Sequence, residues 1–378
     1  MKIRKFNRTL RKTSKYNDFI LIFLTLILIV FGVIMVFSAS YYSALSKYGD
    51  AYHFLIRDGV FAVIGIAAML GVSRIPYRVL RKFAFPFLAA VVFMLLLLFT
   101  PLGKTVNGAT RWLDLKIITV MPGEFAKLAV ILFTASYLTN GRDKLKKAGS
   151  VIWLMLVGGL IAGLIMLQPN MSTAVTVVLI MGSIMFVEGL SWKWIGSLLA
   201  IGAAAGAGII IKEGGYKLQR ITSFLHPFDD PMGDGYQVVQ GLLAMGSGGL
   251  FGVGLGKSMQ KNLYLPEPQN DFILAIIGEE LGFIGIAALM VVYMLLIWRC
   301  INITLNAPDR FSMLLGSGVT AMIAIQVLFN IAIVTSSMPP TGVILPFISY
   351  GGNAMLVCCI GIGILLNISH YSKLDREE

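Results

Sequence analysis

Apolar runs of bilayer-crossing length recur along the whole 378-residue chain. A helix needs roughly 20 residues to cross the hydrocarbon layer. Backbone groups inside lipid must pair within a helix or a closed barrel. No stretch alternates polar and apolar residues as barrel strands do, so the runs predict an all-α, polytopic membrane protein. Hydrophobic residues are 57% of the chain, charged residues 13%, and mean hydropathy is +0.81. About ten spans are expected, over residues 18–38, 54–72, 83–100, 124–140, 151–168, 172–189, 194–211, 272–298, 312–334 and 354–370. No repeat of roughly 20–50 residues is visible, so residues 1–378 read as a single integral-membrane domain.

Basic residues orient the bundle. Lys2, Arg4, Lys5, Arg8, Arg11, Lys12 and Lys15 precede the first span, Arg74, Arg78, Arg81 and Lys82 follow the second, and Arg142, Lys144, Lys146 and Lys147 follow the fourth. Cytoplasmic loops carry the excess of Lys and Arg. Both termini are therefore expected in the cytoplasm, with residues 101–123, 212–271 and 335–353 outside. The net charge of +12 reports this topology and attraction to anionic lipid, not a concentrated basic surface for nucleic acid.

Several other classes drop out. The first apolar run is longer than a signal-peptide core, so an uncleaved helix is expected. Cys300, Cys358 and Cys359 form no disulfide framework and no CxxC pair; packing or lipid contact suits them. His53, His226 and His370 are scattered, against a histidine zinc site or triad. The run 246–256, rich in glycine, lacks the strand and GK[ST] ending of a phosphate loop and predicts a flexible or re-entrant connection beside a ligand groove. Gly158, Gly159, Gly163, Gly202, Gly206 and Gly208 suit close helix contacts.

Polar residues gather on the side expected to face outward. Leu265-Pro-Glu-Pro-Gln-Asn-Asp271 places a carboxylate at the mouth of a span. It ends a long connection between spans seven and eight that also holds Arg220, Asp229, Asp230, Asp234, Gln237, Gln240, Lys257, Lys261 and Glu267, and connections of that length are usually functional. Glu124 and Lys127, spaced i,i+3, share a helix face; they can serve as a buried packing pair or as ligands for an anionic head group. Gln168-Pro-Asn170 reads as a turn. Residues 339–353, with repeated proline and glycine, cannot continue a helix and are expected to line a cavity.

These residues carry a family resemblance. Asn107-Gly-Ala-x-Arg111-Trp112, Pro122-x-Glu124-x-x-Lys127, Gln168-Pro, Arg220 with Gly235-Tyr-Gln237, Ser247-Gly-Gly, Pro266-Glu-x-x-x-Asp271-Phe-Ile, Glu279-Glu280-Leu-Gly and Leu345-Pro-Phe-Ile-Ser349-Tyr350-Gly-Gly occur in that order from the first span to the last. The set resembles the SEDS family (shape, elongation, division and sporulation), its FtsW and sporulation branch more than its RodA branch. Asn170, Met121, the Gln269-Asn270 pair and Asn353 stand where the family usually has aspartate, glutamine, His-Thr and serine.

The resemblance implies a bacterial peptidoglycan glycosyltransferase of the cytoplasmic membrane, acting in division or related cell-wall synthesis. It would polymerise lipid II at the outer face, release undecaprenyl diphosphate, and work with a class B penicillin-binding protein transpeptidase and other division or elongation membrane proteins. It also implies the roles. Asp271 is the expected catalytic base; Arg111, Lys127 and Arg220 would face the diphosphate, and a divalent cation, Mg or Mn, could bridge its oxygens. Trp112, Glu124, Gln237, Ser349 and Tyr350 are expected substrate contacts. Glu279 and Glu280 lie one or two turns beyond Asp271, either at the substrate or stabilising the helix start and pairing with Arg220. Two other functions remain at this point. A lipid II flippase should carry charges near the bilayer midplane and symmetry between halves, and a noncatalytic scaffold would need no outer Asp and basic cluster.

Overall fold

Asp18 starts the first helix by accepting the Leu21 amide at 3.0 Å, which satisfies one of the N–H groups every helix start leaves open. In this computed structural model residues 18–106, 108–116, 118–141, 143–197, 224, 226–233 and 235–372 are described. Helix α1 (Phe19–Tyr48) is followed by α2 (His53–Ser73) and α3 (Tyr77–Leu97). Strands β1 (Gly103–Val106), β2 (Ala109–Asp114) and β3 (Thr119–Val120) precede α4 (Pro122–Thr139), α5 (Ala148–Met166) and α6 (Met171–Val187). A shorter helix, α7 (Tyr236–Ser247), leads to α8 (Ile273–Leu305), α9 (Arg310–Val334) and α10 (Gly352–His370).

The protein is a mostly helical, multi-pass membrane protein. Among the described residues seven helices, α1, α2, α3, α5, α8, α9 and α10, are long and apolar enough to cross a membrane, and α6 is shorter. The expected span at 194–211 lies outside the described residues from 198 onward. Helix α1 runs well past residue 38, where the apolar run ended, and stops only at Gly49 in the left-handed conformation (φ 68°). Helix α4 is buried nearly all round, as a helix enclosed by others must be. It packs against α3, α6 and α9, and α2 packs along α10. Cys300, Cys358 and Cys359 are buried packing residues. Gly158 lets Met181 approach, whereas Gly159 and Gly163 meet nothing among the described residues.

Two features depart from a plain helix bundle. The first is a three-stranded antiparallel sheet, order β1-β2-β3, in which Leu113 pairs with Gly103 on one side and Val120 on the other. The turn into β2 uses Gly108 at φ 76°, a conformation that costs glycine little.

The second is a break in α8 at Gly282 (φ 68°, ψ −169°). A broken helix leaves backbone groups that need partners in a membrane, and the glycine-rich run after α7 supplies them. Val253 and Gly254 amides donate to the Glu279 and Glu280 carbonyls at 2.9 and 3.0 Å, while Phe283 and Ile284 amides donate to Gly249 and Leu250 at 2.9 and 3.1 Å. A side chain at Gly252 or Gly282 would overlap the opposing backbone. The run 246–256 is thus a strap on α8; none of its residues lines the cavity described below, which corrects the expectation of a loop beside the ligand groove.

Candidate active site

The sheet, the N-terminal ends of α4 and α6, the N-terminal half of α2, and the loops before α8 and α10 enclose a cavity of about 1170 Å³. The Pro-Glu-Pro-Gln-Asn loop cannot enter helix until past its second proline, so Asp271 is held at the threshold of α8. The loop is fixed from two sides. Asn330 Nδ2 donates to the Asp271 carbonyl and to the Val343 carbonyl, both at 2.8 Å, and the Tyr350 amide donates to the Gln269 carbonyl at 2.9 Å. The Asp271 carboxylate faces Gly342, where an added Cβ would come within 4.0 Å of it. Desolvation raises the Asp271 carboxyl to about 6, with the charge of Glu267 adding to the rise and the amides of Asp271 and Phe272 opposing it.

Helix α4 brings the cation. Pro122 at its first turn needs no amide partner, and one turn later Lys127 Nζ lies 2.7 Å from Glu124 Oε2, with both side chains under a tenth exposed. The predicted i,i+3 pair therefore forms, and both members line the cavity. Lys127 also reaches Gln326 Oε1 at 3.4 Å.

From the sheet, Arg111 and Trp112 face the same space. Arg111 donates to the Pro169 carbonyl, its Nε has no partner among the described residues, and desolvation lowers its proton affinity. The Gln168-Pro-Asn170 turn thus braces a cavity arginine, and Asn170 caps α6 through the Thr173 amide. Gln237, in the first turn of α7, and Tyr350, held edge-on against Phe54 at 4.9 Å between ring centres, complete the expected set at the cavity. Asn353 joins the start of α10 to the sheet through the Thr119 carbonyl at 3.2 Å.

Three expected contacts lie elsewhere. Ser349 is buried with its hydroxyl turned to the Leu345 amide at 2.8 Å. Glu280 accepts from Lys261 Nζ at 2.8 Å and from the Ser38 hydroxyl at 2.7 Å, and Glu279 accepts from the Ser258 hydroxyl and, at 2.8 Å, the Met259 amide. Neither glutamate lines the cavity; both anchor the loop preceding Asp271 to α8. Arg220 lies outside the described residues, so its pairing with either glutamate does too.

Arg57, Lys104 and Lys116 also line the cavity, as do Glu267 and Asn270. Arg57 was readable as a charge inside an apolar span, where charge leans toward function. Among the described residues no three His, Cys, Asp or Glu side chains gather as a metal cage.

A cavity of this size, polar at its sheet and α4 walls and apolar along Ile56, Val60, Phe61 and Ile64 of α2, suits an amphiphile with an anionic head. The family model described as "Cell cycle protein", for FtsW, RodA and SpoVE, matches residues 19–374. The chain is 40% identical to stage V sporulation protein E of Bacillus subtilis (strain 168), over 97% of this chain and 100% of that protein. It is 37% identical to a probable peptidoglycan glycosyltransferase FtsW of Geobacter sp. (strain M18), over 95% and 98%. Among solved structures, the rod shape determining protein RodA of Thermus thermophilus superposes with a TM-score of 0.70 at 26% identity, covering 96% of this chain and 99% of that one. A chain from a structure described as the coordination of polymerization and crosslinking by a peptidoglycan synthase complex superposes with a TM-score of 0.79 at 24% identity, covering 96% and 100%.

Proposed function

The chain belongs to the cell cycle protein family of FtsW, RodA and SpoVE, and from that membership and the cavity we infer that it is a peptidoglycan glycosyltransferase that polymerises lipid II. The observation that carries the reading is one cavity lined by Asp271, Lys127, Glu124 and Arg111, a base together with cations on the scaffold of that family.

In the reaction the C4 hydroxyl oxygen of one lipid II attacks the anomeric carbon of another. The new C–O bond forms as the bond to undecaprenyl diphosphate breaks, and the α-linked donor becomes a β-1,4 glycan. A single inversion needs one base and stabilisation of the leaving anion, with no covalent enzyme intermediate. Asp271 takes the hydroxyl proton. Its raised basicity suits that role, since a base is most effective with a proton affinity near the working pH. Lys127 and Arg111 stabilise the charge that develops on the diphosphate, with Arg57, Lys104 and Lys116 as further cations on the cavity wall. Glu124 holds Lys127 in place at the cavity wall, and Trp112, Gln237 and Tyr350 position the sugars.

The site faces the outer side of the bacterial cytoplasmic membrane, with both termini inside, on the strength of the basic loops. The partner is a class B penicillin-binding protein transpeptidase, a reading supported by the likeness to a chain of a complex that polymerises and crosslinks. The test is purified protein, alone and with such a transpeptidase, given labelled lipid II and run on a gel. Glycan ladders are expected with the partner. Their absence, with lipid II moved across vesicles instead, would favour a flippase.

A further inference from the structure

Glu267 sits between two prolines with φ 47°, a left-handed conformation that is costly for a residue other than glycine, and its position before Pro268 restricts it further. Such a conformation persists only when its surroundings over-determine it, and here the Glu267 carboxylate is the hub that does so. Gln269 Nε2 and Asn270 Nδ2 both donate to its Oε2, at 3.1 and 3.2 Å. Its Oε1 accepts from Lys47 Nζ at 2.7 Å, and its own carbonyl accepts the Asn270 amide at 3.0 Å. One carboxylate thus closes the loop around the three residues that lead into Asp271 and ties that loop to the last turn of α1. Gln269 and Asn270, two of the positions that depart from the usual residues of the family the chain resembles, both donate their side-chain amides to Glu267.

We propose that Glu267 is a positioning residue for Asp271, which fixes the loop by its hydrogen bonds and tunes the basicity of Asp271 by its negative charge, with Lys47 offsetting that charge. This rests on Asp271 being the base of the proposed reaction, but its electrostatic part can be read without turnover. Glu267 pushes the Asp271 carboxyl upward, in the direction that like charges demand. Among the described residues the remaining charges lining the cavity are Arg57 of α2, Glu124 and Lys127 of α4, and Lys104, Arg111, Asp114 and Lys116 of the sheet and its turn; Tyr350 is the remaining titratable wall residue. They are unchanged in the variants below, so any difference in titration belongs to the Glu267 and Lys47 pair.

The experiment follows Asp271 in the full-length protein in detergent by its pH-dependent modification with a hydrophobic carbodiimide, which attacks protonated carboxyl groups, and by mass spectrometry of the peptide that contains it. Glu267→Gln keeps an acceptor for Gln269 and Asn270 but loses the charge, and should move the Asp271 midpoint down by about half a pH unit or more. Lys47→Met leaves Glu267 uncompensated and should move it up, and the salt sensitivity expected of a half-exposed ion pair should shrink with it. Lipid II polymerisation against pH should follow the same two directions, and Glu267→Ala, which frees the loop, should lower kcat with little change in KM. Identical midpoints in wild type, Glu267→Gln and Lys47→Met would overturn the proposal, whatever the effect on melting temperature. If the wild type makes no glycan, the enzymatic reading fails while the carbodiimide midpoints still decide this one.

Discussion

Lys261 Nζ lies 2.8 Å from Glu280 Oε1, and the two side chains are 3% and 0% exposed. The Ser38 hydroxyl completes the contact from α1. This pair holds the returning loop against the broken start of α8, so the half-helix that begins after Asp271 is fastened at its far end by charge and along its length by the glycine strap. Breaking one partner of a buried pair leaves an uncompensated charge, which costs roughly 3–5 kcal/mol. Lys261→Met is therefore expected to lower the melting temperature sharply, and Lys261→Met combined with Glu280→Gln to recover much of the loss. Thermal unfolding in detergent measures both. Equal destabilisation by the single and double variants would mean the two charges do not act as a pair.

Asp271 makes opposite predictions for activity and stability. A carboxyl raised to about 6 in the folded protein favours its protonated form there, so the stability tied to it is complete below the ordinary carboxylate range and lost as pH rises through about 6. Asp271→Asn stays uncharged throughout. It should be more stable than the wild type at pH 8, by on the order of 2 kcal/mol, with the advantage fading as pH falls below about 6. The same variant cannot accept the hydroxyl proton and should make little or no glycan. Paired melting curves at pH 5 and pH 8, beside a lipid II gel assay, test both; near-normal polymer would remove Asp271 as the base.

In the wild type, glycan synthesis should rise with pH through about 6 as Asp271 loses its proton. The rate-limited arm of the pH profile is the acid one. A profile flat from pH 5 to pH 8 would exclude a base of this kind.

Lys127→Ala is expected to reduce polymerisation by about 10²-fold or more, the usual effect of deleting a charge aimed at a developing anion. It also strands Glu124, its partner at 2.7 Å, so the control is Lys127→Ala with Glu124→Gln. That double variant should regain stability without regaining rate. Recovery of rate as well would make the pair a packing device alone.

The parts of the site that could be read from the chain are those whose chemistry is local. An i,i+3 spacing puts Glu124 and Lys127 together on any helix, and a proline-rich entry holds Asp271 at a helix mouth in any fold. What could not be read depends on direction. Glu279 and Glu280 follow Asp271 by two turns, yet neither reaches the cavity because Ser258 and Met259 hold the first carboxylate and Lys261 and Ser38 the second, and no spacing announces a helix break at Gly282. Ser349 stands beside Tyr350 in the chain, but its hydroxyl is consumed by the Leu345 amide. The sheet was missed for a related reason: its strands are short and the alternation of Thr110 to Leu113 is too brief to register beside apolar helices. Arg57 is legible, since a charge inside an apolar span is itself the signal.

The orientation of the bundle is the remaining prediction, and it decides from which side substrate reaches the cavity. Lys104, on β1 at the cavity, and Lys146, in the short turn between α4 and α5, are both well exposed, at 51% and 79% of their side chains. By the positive-inside rule, the basic residues around Lys146 predict a cytoplasmic position for it. Single cysteines at these two positions, in a background lacking the buried Cys300, Cys358 and Cys359, should therefore differ in intact cells. Lys104→Cys should react with a membrane-impermeant thiol reagent added outside, and Lys146→Cys should react only after the cells are opened. Labelling of position 146 from outside would invert the bundle and place the cavity on the cytoplasmic face, where an extracellular polymerase could not work.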